Sequence, residues 1–174
     1  MRTLFFDIET NAINDWSTYS DLHTVHCLSI YDPMIPKMLT FHGESIERGL
    51  LELQKADRIV GHNVIDFDIP ALKKLYGFSP PLIKVLDTLV VSRCVFPDLR
   101  NDDFGRNGFD KALVGSHSLK AWGHRMGSTT KLTYGEEDGA LTATTKRCVS
   151  TVSVMLLLLS YCTTSCLSTS QAKR

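Results

Sequence analysis

The feature that most constrains this chain is a β-prone run that ends in paired carboxylates: Thr3-Leu4-Phe5-Phe6 leads straight into Asp7-Ile8-Glu9. Side chains alternate across a strand, so residues i and i+2 share a face and Asp7 and Glu9 point the same way. Two carboxylates that close raise each other's pKa unless a cation lies between them. Hard oxygen ligands with few soft partners suit Mg²⁺ or Mn²⁺, which complete their shells with water and phosphate oxygens. The plainer alternative is a solvated Asp-x-Glu at a strand end.

The residues that follow place this strand in an α/β architecture. Residues 24–32 (TVHCLSIYD) and 37–43 (KMLTFHG) read as two further strands after polar connections, and short connections imply antiparallel pairing. A helix over 45–56 follows, with Ser45 as N-cap and Ile46, Leu50, Leu51 and Leu53 near one face. Residues 57–63 form a short β run. Residues 68–78 form a helix with Pro70 in its first turn, where a missing N–H costs nothing. Strands, helix, strand, helix predicts an α/β mixed sheet. With 174 residues and 43% hydrophobic content, the chain can bury one sizeable core.

A second polar constellation sits in residues 61–72, GHNVIDFDIPAL, where Asn63 and Asp68 follow the β run as NxxxFD and Asp68 opens the helix. A simple N-cap role for Asp68 is the alternative. Together with Asp7-x-Glu9, these residues resemble the DEDD superfamily of 3′→5′ exonucleases, whose first motif is DxE and second Nxxx(F/Y)D. LDTLVVSR (86–93) and GSHSLKAWGHRMG (115–127) narrow the resemblance to the proofreading exonuclease domain at the N-terminus of family-A DNA polymerases of short-tailed bacteriophages. It spans residues 1–141.

The resemblance implies a ribonuclease H-like fold with a mixed five-stranded sheet flanked by helices. It makes Asp7, Glu9 and Asp68 the catalytic metal ligands and Asn63 their supporting residue. The implied reaction is two-metal phosphodiester hydrolysis with Mg²⁺ or Mn²⁺ at a frayed, single-stranded DNA 3′ end. The implied partner in cis is a polymerase domain, which this chain lacks. Neighbours carry weaker expectations: Asp66 as a solvated residue, His62 as a hydrogen-bonding histidine near substrate, and Lys120 or Arg125 on phosphate from a helix that packs Leu119 and Trp122 inward. A non-catalytic remnant or single-stranded nucleic-acid-binding module, and an RNA-directed nuclease of the same fold, are the alternatives.

Beyond this region the composition changes. All 19 Asp and Glu lie in residues 1–138 with 15 of the 19 Lys and Arg, a net −4, whereas the last 36 residues carry +4 and no acid. Ser and Thr supply 13 of residues 142–174, and three of the five cysteines fall there. No CxxC pair occurs, so neither disulfides nor a zinc site is expected. The apolar run Val152–Leu159 is far shorter than the roughly 18 residues of a membrane span. No secretory signal opens the chain, so an intracellular setting, by resemblance the infected host's cytoplasm, is expected.

The resemblance fails where a third motif, YxxxD, should supply the fourth carboxylate. Asp102, Asp103 and Asp110 are not expected to substitute, because they read as a Gly- and Asp-rich loop. A frameshift accounts for the change. If each true codon joined the last base of one codon to the first two of the next, Met155 (ATG) would become NAT and Thr151 would become NAC. Tyr at 151 and Asp at 155 are then allowed, four apart as YxxxD requires. Residues 142–174 are accordingly expected to be an atypical, weakly ordered tail, and activity of this chain to be low.

Overall fold

The computed structural model describes residues 1–11, 18–127, 155, 158 and 159. Of residues 142–174, on which the expectation of a weakly ordered tail falls, all but 155, 158 and 159 lie outside the described residues, Thr151 among them.

Among the described residues, β1 (Thr3–Thr10), β2 (Val25–Asp32), β3 (Lys37–Phe41), β4 (Arg58–Gly61) and β5 (Val85–Asp87) form one sheet in the order β3-β2-β1-β4-β5. β1, β2 and β3 run antiparallel in turn, while β4 joins β1 in parallel and β5 joins β4 in parallel. This is the α/β mixed sheet with flanking helices that the ribonuclease H-like reading expects. No described helix is long and apolar enough to cross a membrane.

The β1–β2 pairing does not come from a short link, because residues 11–24 separate the two strands. Asn11 closes that excursion instead. Its backbone N–H donates to Thr24 O, its Nδ2 donates to Asp21 O at 2.8 Å, and its Oδ1 accepts from His23 N and Thr24 N.

Helix α1 (Ile46–Lys55) buries Ile46, Leu50 and Leu53. Ser45 occupies the expected N-cap position of α1, but its side chain makes no capping bond to that helix. Its Oγ instead closes a 3-10 turn at Gly43–Ser45, donating to His42 O and accepting from His42 N. Helix α2 (Asp68–Tyr76) carries Pro70 in its first turn and stops at Gly77, whose φ of 68° is the left-handed conformation that ends helices cheaply in glycine. Helices α3 (Thr88–Val95), α4 (Leu99–Phe104) and α5 (Leu119–Arg125) follow. Asp102 and Asp103 lie on α4, a correction to their reading as loop residues. The Gly- and Asp-rich composition concealed a single short turn of helix anchored by one buried carboxylate.

The strand register sorts the core into two layers. Leu4, Phe6 and Ile8 of β1, with Leu28, Ile30 and Ile59, pack beneath α1 and α2. On the opposite face, Met38, Tyr31, Phe5, Val60 and Leu86 are successive register partners and form one apolar row straight across the sheet. Met155, Leu119 and Leu159 cover that row. Leu158 joins Leu99 and Trp122, with the Phe96 ring 5.1 Å from the indole. Met155 and Leu158 are fully buried, so at these positions the tail is part of the core.

Candidate active site

Along β1, the apolar residues of this face end at Phe5. The next two residues on that face are Asp7 and Glu9, both lining a cleft of about 760 Å³. β1 outruns β4 here: β4 pairs with β1 only as far as Phe5, leaving the following edge of β1 without a strand. Asp68 fills part of that gap, its Oδ1 accepting the Ile8 N–H at 3.2 Å. The N-cap of α2 is Phe67, not Asp68, so the carboxylate serves β1 rather than its own helix end.

This docking brings three carboxylates to one strand end, two on the cleft and the third behind the residue between them. Asp68 is 2% exposed. Burial pushes its carboxyl up to about 7, and the charges of Asp87 and Glu9 push the same way, while the Ile8 and Asp68 N–H groups oppose the rise. Among the described residues, no group of three or more His, Cys, Asp or Glu stands ready to hold a metal ion. The Asp7 and Glu9 pair nevertheless suits a hard cation. An Asp68 oxygen that accepts one N–H still has a free lone pair.

The segment between β4 and α2 is held by a residue that the sequence did not single out. Asp87, at the end of β5 and 4% exposed, accepts from Asn63 N and Leu89 N with Oδ1 and from Ile65 N with Oδ2, all within 3.1 Å. One carboxylate thus caps α3 and clamps the Asn63 turn. Asn63 adopts φ 64°, a left-handed conformation that asparagine tolerates better than most side chains. The signal was legible as Asp-Thr entering a helix, a standard cap, but its second hold is purely tertiary. Gly61 is required by close approach: a Cβ there would lie 2.0 Å from Val64 Cγ1 and 3.2 Å from the Phe6 carbonyl.

His62 and Asn63 both line the cleft. Thr88 Oγ1 donates to Gly61 O and hydrogen-bonds His62 Nδ1 at 2.8 Å. Burial pushes the His62 imidazole down to about 4. The opposite wall comes from α3, α5 and the turn before α5, with Arg93, His117 and Lys120 on the cleft. Arg93 and His117 escaped the sequence reading because nothing in their spacing joins them to Asp7. Ser92 Oγ donates to Leu89 O and lies 3.0 Å from His117 Nδ1, so that nitrogen is the donor and Nε2 is left bare. Burial first, then the charges of Arg125 and Arg93, hold His117 below its usual range.

Arg125 is not on the cleft. It makes two bonds to Asp103, Nε to Oδ1 at 2.9 Å and Nη2 to Oδ2 at 2.7 Å, with side chains only 2% and 0% exposed. Gly115 N also donates to Asp103 Oδ2, and the guanidinium stacks over the Trp122 and Phe109 rings. This corrects the expectation that Arg125 meets phosphate: three residues on from the buried Trp122, it lies beside the inward face of α5 and pairs there with the α4 carboxylate. Lys120 remains exposed on the cleft rim.

No protein-family model matches the chain. The DNA-directed DNA polymerase of Escherichia phage T7 is 34% identical over 134 residues, 70% of this chain and 18% of the relative. That of Enterobacteria phage T3 is 33% identical over 137 residues, 71% of this chain and 19% of the relative. Among solved structures, a family B DNA polymerase from the hyperthermophilic archaeon Pyrobaculum calidifontis aligns at TM-score 0.47 and 17% identity, covering 90% of this chain and 24% of that one. The chain therefore spans about a fifth of the length of the curated relatives it matches. Over most of its length it is a homologue of a segment of the phage T7 and T3 DNA polymerases.

Proposed function

We propose that the chain is a 3′→5′ exonuclease domain of the phage-polymerase type, acting on single-stranded DNA 3′ ends. The observation that carries this is the placement of Asp7 and Glu9 side by side in a cleft, with the Asp68 carboxylate docked on the Ile8 N–H between them. Asp7, Glu9 and Asp68 would be the residues that hold Mg²⁺ or Mn²⁺. When bound, such cations lower the pKa of water and take up charge on phosphoryl and leaving oxygens. The chain's own residues do the rest. Asn63, clamped by Asp87, presents its side chain at the cleft, and the His62 bond to Thr88 fixes the adjoining wall. Incubation of the full chain with 5′-labelled single-stranded DNA and Mg²⁺ or Mn²⁺ should shorten the label one nucleotide at a time and release nucleoside 5′-monophosphates. Asp7→Ala and Glu9→Ala should each slow this by at least about 100-fold. Cleavage that continues without metal, or in both variants, rejects the proposal.

A second reading, a strand-binding module without chemistry, is favoured by one observation. Met155, the position where the frameshift account puts an aspartate, is an apolar residue seated on Phe5, one step along the face from Asp7. The encoding DNA separates the two readings. Its alternative frame should give Tyr and Asp at 151 and 155, and a chain rebuilt with that segment should degrade DNA orders of magnitude faster. A rebuilt chain that binds DNA but stays inert decides for the module.

A further inference from the structure

The cleft has two walls of opposite charge. Asp7 and Glu9 form one, and the other carries Arg93 from the last turn of α3, Lys120 from the first turn of α5, and His117. Both bases are exposed, and neither has a carboxylate partner among the described residues, whereas Arg125 on the same α5 is consumed by Asp103. The Arg93 charge reaches inward, since it helps to hold both His62 and His117 neutral. Residues 1–138 carry a net −4, so a polyanionic strand is repelled by this region as a whole and enters only where cations line its path.

We infer that Arg93 and Lys120 are phosphate-binding residues of this cleft, gripping the backbone of a single strand from the side opposite the carboxylates. The guanidinium can fork onto two phosphate oxygens, and the ammonium acts as a point charge. The inference rests on the nuclease reading for the identity of the strand, and it extends that reading from the reacting bond to the grip on the chain that carries it.

Fluorescence anisotropy tests this with the full chain, a 5′-fluorescein ten-nucleotide single-stranded DNA and EDTA, so that nothing is cleaved. Arg93→Ala should weaken binding about tenfold and Lys120→Ala by less, and each should reduce the slope of log K against log salt by about 0.7. Arg93→Lys should recover part of the affinity and all of the slope. Lys111→Ala, an exposed base off the cleft, should change neither. Wild-type affinity and slope in both Arg93→Ala and Lys120→Ala, or no salt-dependent binding by the parent chain, overturns the inference. The nuclease reading fails separately: Arg93-dependent binding by a chain that never hydrolyses DNA refutes that reading and supports this one. Metal-dependent cleavage with Arg93→Ala binding normally does the reverse.

Discussion

On the face of the sheet beneath α1 and α2, the inward residues of β1, Leu4, Phe6 and Ile8, are buried along the strand. On the other face Phe5 is buried, but Asp7 and Glu9 open onto a cleft. The same eight residues therefore build a continuous core on one side and, on the other, a core that ends where polar chemistry begins. The difference shows how a strand can carry a charged site at little cost to the fold. Like charges gathered at Asp7 and Glu9 are borne by a backbone that the opposite face holds rigid.

The largest effect that would sharpen this contrast is Phe6→Ala, which should cost about 3–5 kcal/mol in chemical denaturation. Asp7→Ala should lie near zero in the absence of metal. If the two substitutions destabilise equally, the division of labour between the faces is wrong.

The α3–α5 layer offers a test of similar size. Asp103→Ala leaves the Arg125 guanidinium buried without its partner and should cost about 3–5 kcal/mol, with Asp103→Asn milder. The hydrogen bonds from Arg125 hold the Asp103 carboxyl below its usual range, so its contribution is present above the unfolded pKa and is lost as pH falls through the depressed one. A denaturation midpoint unaffected by Asp103→Ala at neutral pH would show that the buried pair between α4 and α5 adds little to the fold.

His62 gives a smaller, pH-dependent effect. Its folded pKa of about 4 lies below the ordinary 6.5, so the folded state resists protonation. Stability from this group is present above pH 6.5 and is lost as pH falls toward 4, by about 3 kcal/mol at most. His62→Gln should flatten the stability curve across that window, as read by urea midpoints at successive pH values. A curve of unchanged steepness would place the acid sensitivity elsewhere.

The smallest effect concerns the carboxylates themselves. Asp7→Asn should change metal-free stability by less than about 1 kcal/mol, and a slight rise is the expected sign because it relieves like charge. The same variant should lose the increase in melting temperature that Mg²⁺ or Mn²⁺ gives the parent. An identical metal response in Asp7→Asn and the parent would return Asp7-x-Glu9 to a solvated strand end.

Much of this arrangement was written in the sequence itself. Alternation in Thr3–Thr10 sends Asp7 and Glu9 to one face, because a strand has a period of two whatever surrounds it. The β1, β2 and β3 strands, α1, α2 and the turn at Pro70 follow from local periodicity and turn chemistry in the same way. Tertiary structure decided the remainder, wherever a side chain had a choice of partner. Asp68 could have capped α2 but took the Ile8 N–H, because β4 ends early and leaves that donor open. Arg125 could have faced a strand but was drawn onto Asp103, and Asp87 acquired a second hold on Asn63 across 24 residues. Met155 illustrates the point from the other direction, for it lies in a tail expected to be weakly ordered, yet it packs with Phe5. A periodic pattern is a property of neighbours along the chain, whereas the partner of a polar or isolated apolar group depends on which groups the fold leaves unsatisfied nearby.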